Sequence, residues 1–244
     1  MRLHRFYVSE DIGDKKELVI RSAELVNQLR RVFRLQIGDS IIIFNGTGFD
    51  YECKIDGFGE KSKISSDSVI RLLVISTERS RFIPERKLIL CAGLVKKDTF
   101  EWITEKATEL GVTGIIPIRA EHSEKKALNE KRLKKIAIEA SEQSGRDATP
   151  MILPIMGQGE AAAYLKKENP GIQMIAFHTE GEKFARPGLD ETRPVGVFIG
   201  PEGGWSPDEI DMFHKLNIPV VTLGPQILRS ETAVIAALSQ VVFY

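Results

Sequence analysis

The sequence predicts a small β-barrel domain followed by an α/β domain, a parallel sheet with helices on both faces. Three observations carry that expectation. Residues up to about 75 are short β-branched and aromatic runs cut by Asn45-Gly46, Gly48, Gly57 and Gly59, the texture of strands and tight turns. The stretch Glu78 to Arg86 is charged, contains Pro84 and has no apolar period, so it reads as a linker. Beyond it, apolar strand-like runs alternate with segments of helical periodicity, and such alternation implies parallel strands covered on both faces.

In chain order, RFYV, DSIIIFNGTGFDYECKIDGF and SVIRLLVIS are the strands of the first domain. One helix is expected from Ser22 to Arg34, where Leu25, Leu29, Val32 and Phe33 recur at helical spacing and Gly38 follows. The predicted divisions are 1–75 for the barrel, 76–86 for the linker and 87–244 for the α/β domain. In the latter, KLILCAGL is a strand, after which Asp98 and Glu101 form a capping box and Gly111 ends the helix. IIPIRA is the next strand. A helix from Glu130 to Ser144 buries Leu133, Ile136, Ala137 and Ala140, and IQMIAF, VGVFIG and VVTL are later strands.

The bulk properties exclude several classes. With 244 residues and 42% hydrophobic content the chain can bury a sizeable core, and its formal net charge of zero means that any nucleic-acid site is a local basic patch. No apolar run has the length of a membrane span, and MRLHRFYVSEDIG lacks the apolar middle of a signal peptide, so a cytoplasmic protein is expected. Cys53 and Cys91 lie far apart without metal-ligand spacing, and His4, His122 and His214 have no partner at such spacing; no metal is predicted.

The chemistry is expected in three loops that follow strands. Ile199-Gly200-Pro201-Glu202-Gly203-Gly204-Trp205 runs into Ser206-Pro207-Asp208-Glu209, which has the form of an N-cap, a first helical proline and a capping-box partner. Leu223-Gly224-Pro225-Gln226-Ile227-Leu228-Arg229-Ser230-Glu231-Thr232 opens the final helix, and Phe177-His178-Thr179-Glu180-Gly181 follows IQMIAF. Glycine lets backbone approach a ligand, and ligands of parallel sheets bind beyond the carboxyl ends of the strands, so these loops should form one pocket. Each taken singly also reads as an ordinary strand-to-helix turn.

IGPEGGWSPDEI followed by LGPQILRSETAVIAAL resembles the signature of the ribosomal RNA small subunit methyltransferase E family, of the SPOUT class. KKDTFEWITEKATELGV with Lys96, Lys106 and Glu109, IAIEASEQSGR with Gln143 and Arg146, and MRLHRFYV and VFRLQIGD with Arg5, Arg34, Gly38 and Asp39 extend the resemblance over nearly the whole chain. Asn27-Gln28 departs from it, standing where the family often carries histidines, and Phe33 replaces a leucine. The resemblance implies a PUA-like barrel and a SPOUT-type sheet with a carboxyl-terminal trefoil knot. It further implies a homodimer that uses S-adenosylmethionine to methylate N3 of a uridine in 16S rRNA, free or within the small subunit. The implied cofactor residues are Phe177, His178, Gly200, Pro201, Glu202, Gly203, Gly204, Leu223, Gly224, Ile227, Leu228 and Arg229.

Uracil N3 is a poor nucleophile until its proton leaves, so a base or an anion-stabilising group is required. Arg229 is the candidate for the oxyanion, and Glu231 either accepts the proton, orients Arg229 or serves the helix dipole. Trp205 and Phe177 either stack on a base or close the core. RNA contacts are expected from Arg5, Arg30, Arg31, Arg34, Lys96, Gln143 and Arg146, with Arg2, Lys125 and Lys126 as further candidates. Two other readings compete: a noncatalytic RNA-binding protein, and an NAD-dependent oxidoreductase suggested by the G-x-G-x-x-A run Gly157 to Ala162.

Overall fold

The computed structural model describes residues 3–59, 68–123, 127–184 and 189–243; Arg2, Lys125 and Lys126 lie outside them. Two compact units are present, Met1–Ile83 with Ser141–Ala148, and Pro84–Ala140 with Thr149–Tyr244.

In the first unit, β1 (Arg5–Tyr7), β2 (Glu17–Arg21), β3 (Ser40–Phe44), β4 (Phe49–Gly59) and β5 (Val69–Arg79) form one sheet in the order β1-β3-β4-β5-β2. β1 pairs with β3 in parallel and the other pairs are antiparallel. Alternate residues point inward, so Leu18 and Ile20, Ile41 and Ile43, and Tyr51, Cys53 and Ile55 share one core with Phe6, Ile70 and Leu72. β5 continues to Arg79, pairing Ser76, Thr77, Glu78 and Arg79 with Glu52, Tyr51, Asp50 and Phe49. Part of the charged stretch read as linker is thus strand, because backbone pairing does not depend on the polarity of outward side chains.

The expected helix from Ser22 to Arg34 is also modified. Ser22 caps α1 (Ala23–Asn27), its Oγ accepting from Leu25 N at 3.1 Å, but residues Gln28–Val32 then widen into a π-helical turn with Phe33 N donating to Gln28 O at 3.0 Å. The wider turn rotates Val32 off the apolar face, leaving it 66% exposed while Leu29 is fully buried.

The second unit is built on a six-stranded, all-parallel sheet in the order β11-β9-β10-β6-β7-β8. Its strands are β6 (Leu88–Gly93), β7 (Gly114–Ile118), β8 (Met151–Ile152), β9 (Gln173–Lys183), β10 (Val195–Ile199) and β11 (Val220–Thr222). Between them lie α2 (Lys97–Glu109), α3 (Glu130–Ser144), α4 (Gln158–Glu168), α5 (Pro207–Lys215) and α6 (Ser230–Phe243). Strand alternation sends Leu88, Leu90 and Ala92 into one core with Phe100 and Ile103 of α2, Leu133 and Ala137 of α3, and Val234 and Leu238 of α6. Ile89 and Cys91 meet Ala161 and Leu165 of α4 and Phe213 of α5 on the opposite face. Both faces are therefore covered, which is why β6, β7 and β10 are buried along their whole length.

The capping box expected at Asp98 does not form. The N-cap lies two residues earlier, at Lys96, which makes no side-chain bond, and Glu101 pairs instead with Lys97 at 3.7 Å and Arg132 at 3.2 Å. The run Gly157 to Ala162 opens α4, where Glu160 Oε2 accepts from Gly157 N at 3.2 Å. A Cβ on Gly159 would lie 3.1 Å from Met212 Sδ, so that glycine admits a side chain of this protein, and the two-residue β8 does not make the strand a dinucleotide fingerprint needs.

Candidate active site at the carboxyl ends of the strands

Neighbouring strands β11, β9, β10 and β6 run the same way, so the segments leaving their carboxyl ends emerge side by side. β6 and β10 approach closely there. A Cβ on Gly93 would fall 2.4 Å from Pro201 N, so the end of β6 supports the start of the glycine loop through bare backbone.

The loop after β10 is held from several sides. Gly204 N donates to Pro201 O at 2.9 Å, and Gly204 has φ +70°, a turn that favours glycine. Ser206 caps α5 with Pro207 as its first residue: Ser206 N donates to Glu209 Oε2 at 2.9 Å and Glu209 N donates to Ser206 Oγ at 3.3 Å. Trp205 is 4% exposed, its Nε1 donates to Phe177 O at 3.2 Å, and its ring meets that of Phe213 edge-on. Phe177 is buried against Phe184. Both aromatics therefore close the core, and neither has a free face for a base.

The expected loop Phe177 to Gly181 is part of β9. Against β11, Ala176 pairs with Val220, yet the next paired residue is Glu182 with Val221, so residues 177–181 bulge out of that register, while Phe177 keeps its pairing with Ile199 of β10. A Cβ on Gly181 would lie 2.4 Å from the Val221 carbonyl carbon, and His178 Nδ1 accepts from Glu180 N at 3.2 Å within the bulge.

After β11 the chain turns at Gly224, whose carbonyl accepts from Thr222 Oγ1 at 3.0 Å, and passes back to the end of β10, where Ser230 Oγ donates to Gly200 O at 2.8 Å. This last bond joins two loops selected from sequence. It brings Arg229 and Glu231, the neighbours of Ser230, to the glycine loop. The Arg229 side chain is exposed, Glu231 is half-buried in the first turn of α6, and no hydrogen bond or ion pair joins them. Ile227 is 87% exposed and Leu223 and Leu228 are half-buried, an apolar surface beside open backbone at Gly204, where a Cβ would meet nothing within 4 Å. Pro201 is buried and Glu202 is exposed at the tip of the glycine loop. An adenosine-bearing ligand needs apolar contact for its base and backbone polar groups for specificity, and these loops offer both.

Sequence patterns missed His122. It sits in the turn after β7, with Nδ1 3.0 Å from Gly203 O and 3.3 Å from Gly204 O. A Cβ on Gly203 would come within 2.7 Å of His122 Cβ. The space beside Gly203, attributed from sequence to a ligand, is filled by this histidine. A lone histidine 81 positions away carries no local signal.

The expected RNA residues separate by burial. In the first unit Arg5 is 8% and Arg146 4% exposed. Arg5 is ion-paired with Asp50, donates to Arg146 O at 2.8 Å and lies over the Phe44 ring, while burial pushes the Arg146 guanidinium down to about 10, opposed by Asp147. Glu142 accepts from Tyr7 N at 3.0 Å and from Gln28 Nε2 at 3.2 Å. Arg5 and Arg146 thus tie residues 141–148 to β1 and are not presented to a phosphate. Arg30, Arg31 and Arg34 are exposed on and after the π-helical turn, Arg30 lying 5.3 Å over the Phe58 ring; Gln143 is exposed too. In the second unit Lys96 is exposed where β6 passes into α2. Among the described residues no cluster of His, Cys, Asp and Glu suits a metal ion, and no helix is long and apolar enough to cross a membrane.

Comparison with known proteins adds an independent line. An RNA methyltransferase domain matches residues 83–242 and an RNA methyltransferase PUA domain matches residues 26–65. The chain is 30% identical to the ribosomal RNA small subunit methyltransferase E of Rickettsia conorii over 99% of this chain and 96% of that one. It is 31% identical to the Bacillus subtilis enzyme of the same name over 90% and 88%. Among solved structures, a Legionella pneumophila methyltransferase in complex with the cofactor SAM superposes with a TM-score of 0.84 at 26% identity, covering 99% of this chain and 97% of that one.

Proposed function

The chain belongs to the ribosomal RNA small subunit methyltransferase E family, a family of rRNA methyltransferases, and we propose that it methylates N3 of a uridine in 16S rRNA with S-adenosylmethionine as donor. Its architecture is of the SPOUT type, a parallel sheet covered on both faces, with a PUA-like β domain in front. The bond between Ser230 and Gly200 carries the reading, since it joins the glycine loop to the segment bearing Arg229.

Bound S-adenosylmethionine supplies an electrophilic methyl group on a positive sulfur. The residues proposed to hold it are Phe177 and His178 of β9, Gly200, Pro201, Glu202, Gly203 and Gly204 of the glycine loop, and Leu223, Gly224, Ile227, Leu228 and, through its main chain, Arg229 after β11. Exposed Ile227 and the open side of Gly204 support this assignment. Arg229 presents its fork of donors to a uracil carbonyl and stabilises the charge that develops as the N3 proton leaves. Glu231, one residue beyond the pinned Ser230, accepts that proton.

Arg30, Arg31, Arg34 and Gln143 of the first unit and Lys96 of the second are the proposed RNA contacts, through phosphate and, at Arg30, through the guanidinium face. Arg30→Ala combined with Arg31→Ala should weaken rRNA binding and reduce the slope of log affinity against log salt by about 1.5, roughly 0.7 to 0.9 per lost contact. Filter binding across a salt series reads it, and an unchanged slope removes both residues from the interface.

The active form is proposed to be a homodimer in the cytoplasm, where rRNA is made. α6 is apolar around most of its circumference, yet Ile235 and Ala236 are only half-buried, as expected where a second copy completes the packing. The decisive test of the activity is nucleoside mass spectrometry of 16S rRNA from a strain lacking this protein: 3-methyluridine should disappear and return on complementation. Its persistence at full level rejects the assigned reaction.

A further inference from the structure

We propose that His122 is a positioning residue for the cofactor loop, holding Gly203 and Gly204 in the arrangement that meets the methyl donor. The proposal rests on the cofactor reading above and adds a residue from a different element. A carbonyl oxygen only accepts, so the contacts of 3.0 Å to Gly203 O and 3.3 Å to Gly204 O require that Nδ1 carry the hydrogen and share it between two consecutive carbonyls. Fixing two successive carbonyls fixes two successive peptide planes. Glycine has wide conformational freedom, and neither Gly203 nor Gly204 has a side chain to restrict it. The restriction is supplied from outside.

The same turn also holds the start of α5, the helix into which the loop runs. Glu121 N donates to Glu209 Oε1 at 3.1 Å, while the other oxygen of Glu209 takes the amide of Ser206. The close approach at Gly203, where an added Cβ would lie 2.7 Å from His122 Cβ, means that any side chain at 122 requires glycine at 203. A loop ordered before binding loses less entropy when ligand arrives, so His122 acts on cofactor affinity and not on the chemical step.

Trp205, buried at 4% exposure, reports on the loop without any ligand. With Trp102→Phe it becomes the only one of the two tryptophans left, and its acrylamide quenching can be followed. His122→Ala should raise quenching about threefold or more, and His122→Asn, whose amide restores a donor near Nδ1, should recover most of the protection. Calorimetry with S-adenosylmethionine should show about a tenfold weaker Kd in His122→Ala, the scale of one good hydrogen bond, with kcat at saturating cofactor within about twofold of the parent. Gly203→Ala should lose more, and adding His122→Gly should recover part of that loss because the clash is gone. Unchanged quenching in His122→Ala overturns the proposal, as does a Gly203→Ala defect indifferent to the side chain at 122. If quenching responds but no form, parent included, binds S-adenosylmethionine, the positioning of the loop stands and the cofactor reading falls.

Discussion

Arg229→Lys should bind S-adenosylmethionine with nearly parental affinity and lose about two to three decades of single-turnover rate, the scale on which removal of one anion-stabilising donor acts. The guanidinium is exposed and its main chain is secured independently of it: Ala233 N donates to Arg229 O at 2.8 Å, and the next residue, Ser230, holds Gly200 O. Fold and loop should therefore survive the change. Lysine keeps the charge and loses the planar fork, so the comparison isolates geometry from charge. Single-turnover methylation at saturating RNA and cofactor separates the step from binding. Parental turnover, or failure through lost cofactor binding alone, would return Arg229 to a purely structural part in the loop.

Gly93→Ala is expected to be among the most damaging small substitutions in the second unit. The added carbon would sit 2.4 Å from Pro201 N, 2.6 Å from Pro201 Cδ and 2.9 Å from the Gly200 carbonyl carbon, all on backbone or a rigid ring that cannot swing aside. β6 lies between β10 and β7, so relief requires parting β6 from β10 at their carboxyl ends or displacing the glycine loop. Overpacking costs about 1–3 kcal/mol, and this backbone contact belongs at the upper end. A urea midpoint lowered accordingly, with cofactor affinity falling at least tenfold in the still-folded protein, is the expected result. Parental stability and affinity would show that the two strand ends separate freely and do not support the site.

Removing residues up to Ser80 would not isolate the methyl-donor site cleanly. Residues 141–148 belong with the first unit, through Arg5 on Arg146 O and Glu142 on Tyr7 N, so the cut removes partners of a segment it leaves behind. Substitutions at exposed Arg30 and Arg31 test the first unit without that damage.

Several features were legible because their cause is local. Uninterrupted apolar runs marked the parallel strands, since β6, β7 and β10 are covered on both faces and must be apolar throughout. Ser206, Pro207 and Glu209 announced α5 because a capping box is complete within four residues. The sequence motifs also carried the family, and with it the reaction class. What local pattern could not determine was which groups from distant segments occupy the same space. Asp98 and Glu101 have capping-box spacing, but the i,i+4 pair with Lys97 inside α2 and the tertiary contact with Arg132 take Glu101 elsewhere. Arg5 and Arg146 look like solvent-facing basic residues until burial pairs them across 141 positions, and Arg30 and Arg31 look the same yet remain exposed. Gly93, Gly181 and Gly203 owe their identity to Pro201, Val221 and His122, each on another segment. Chain closeness of that kind is created by the sheet order and by the return of the chain from β11 to β10; only the tertiary structure decides it, because an excluded volume has no periodicity to leave in a sequence.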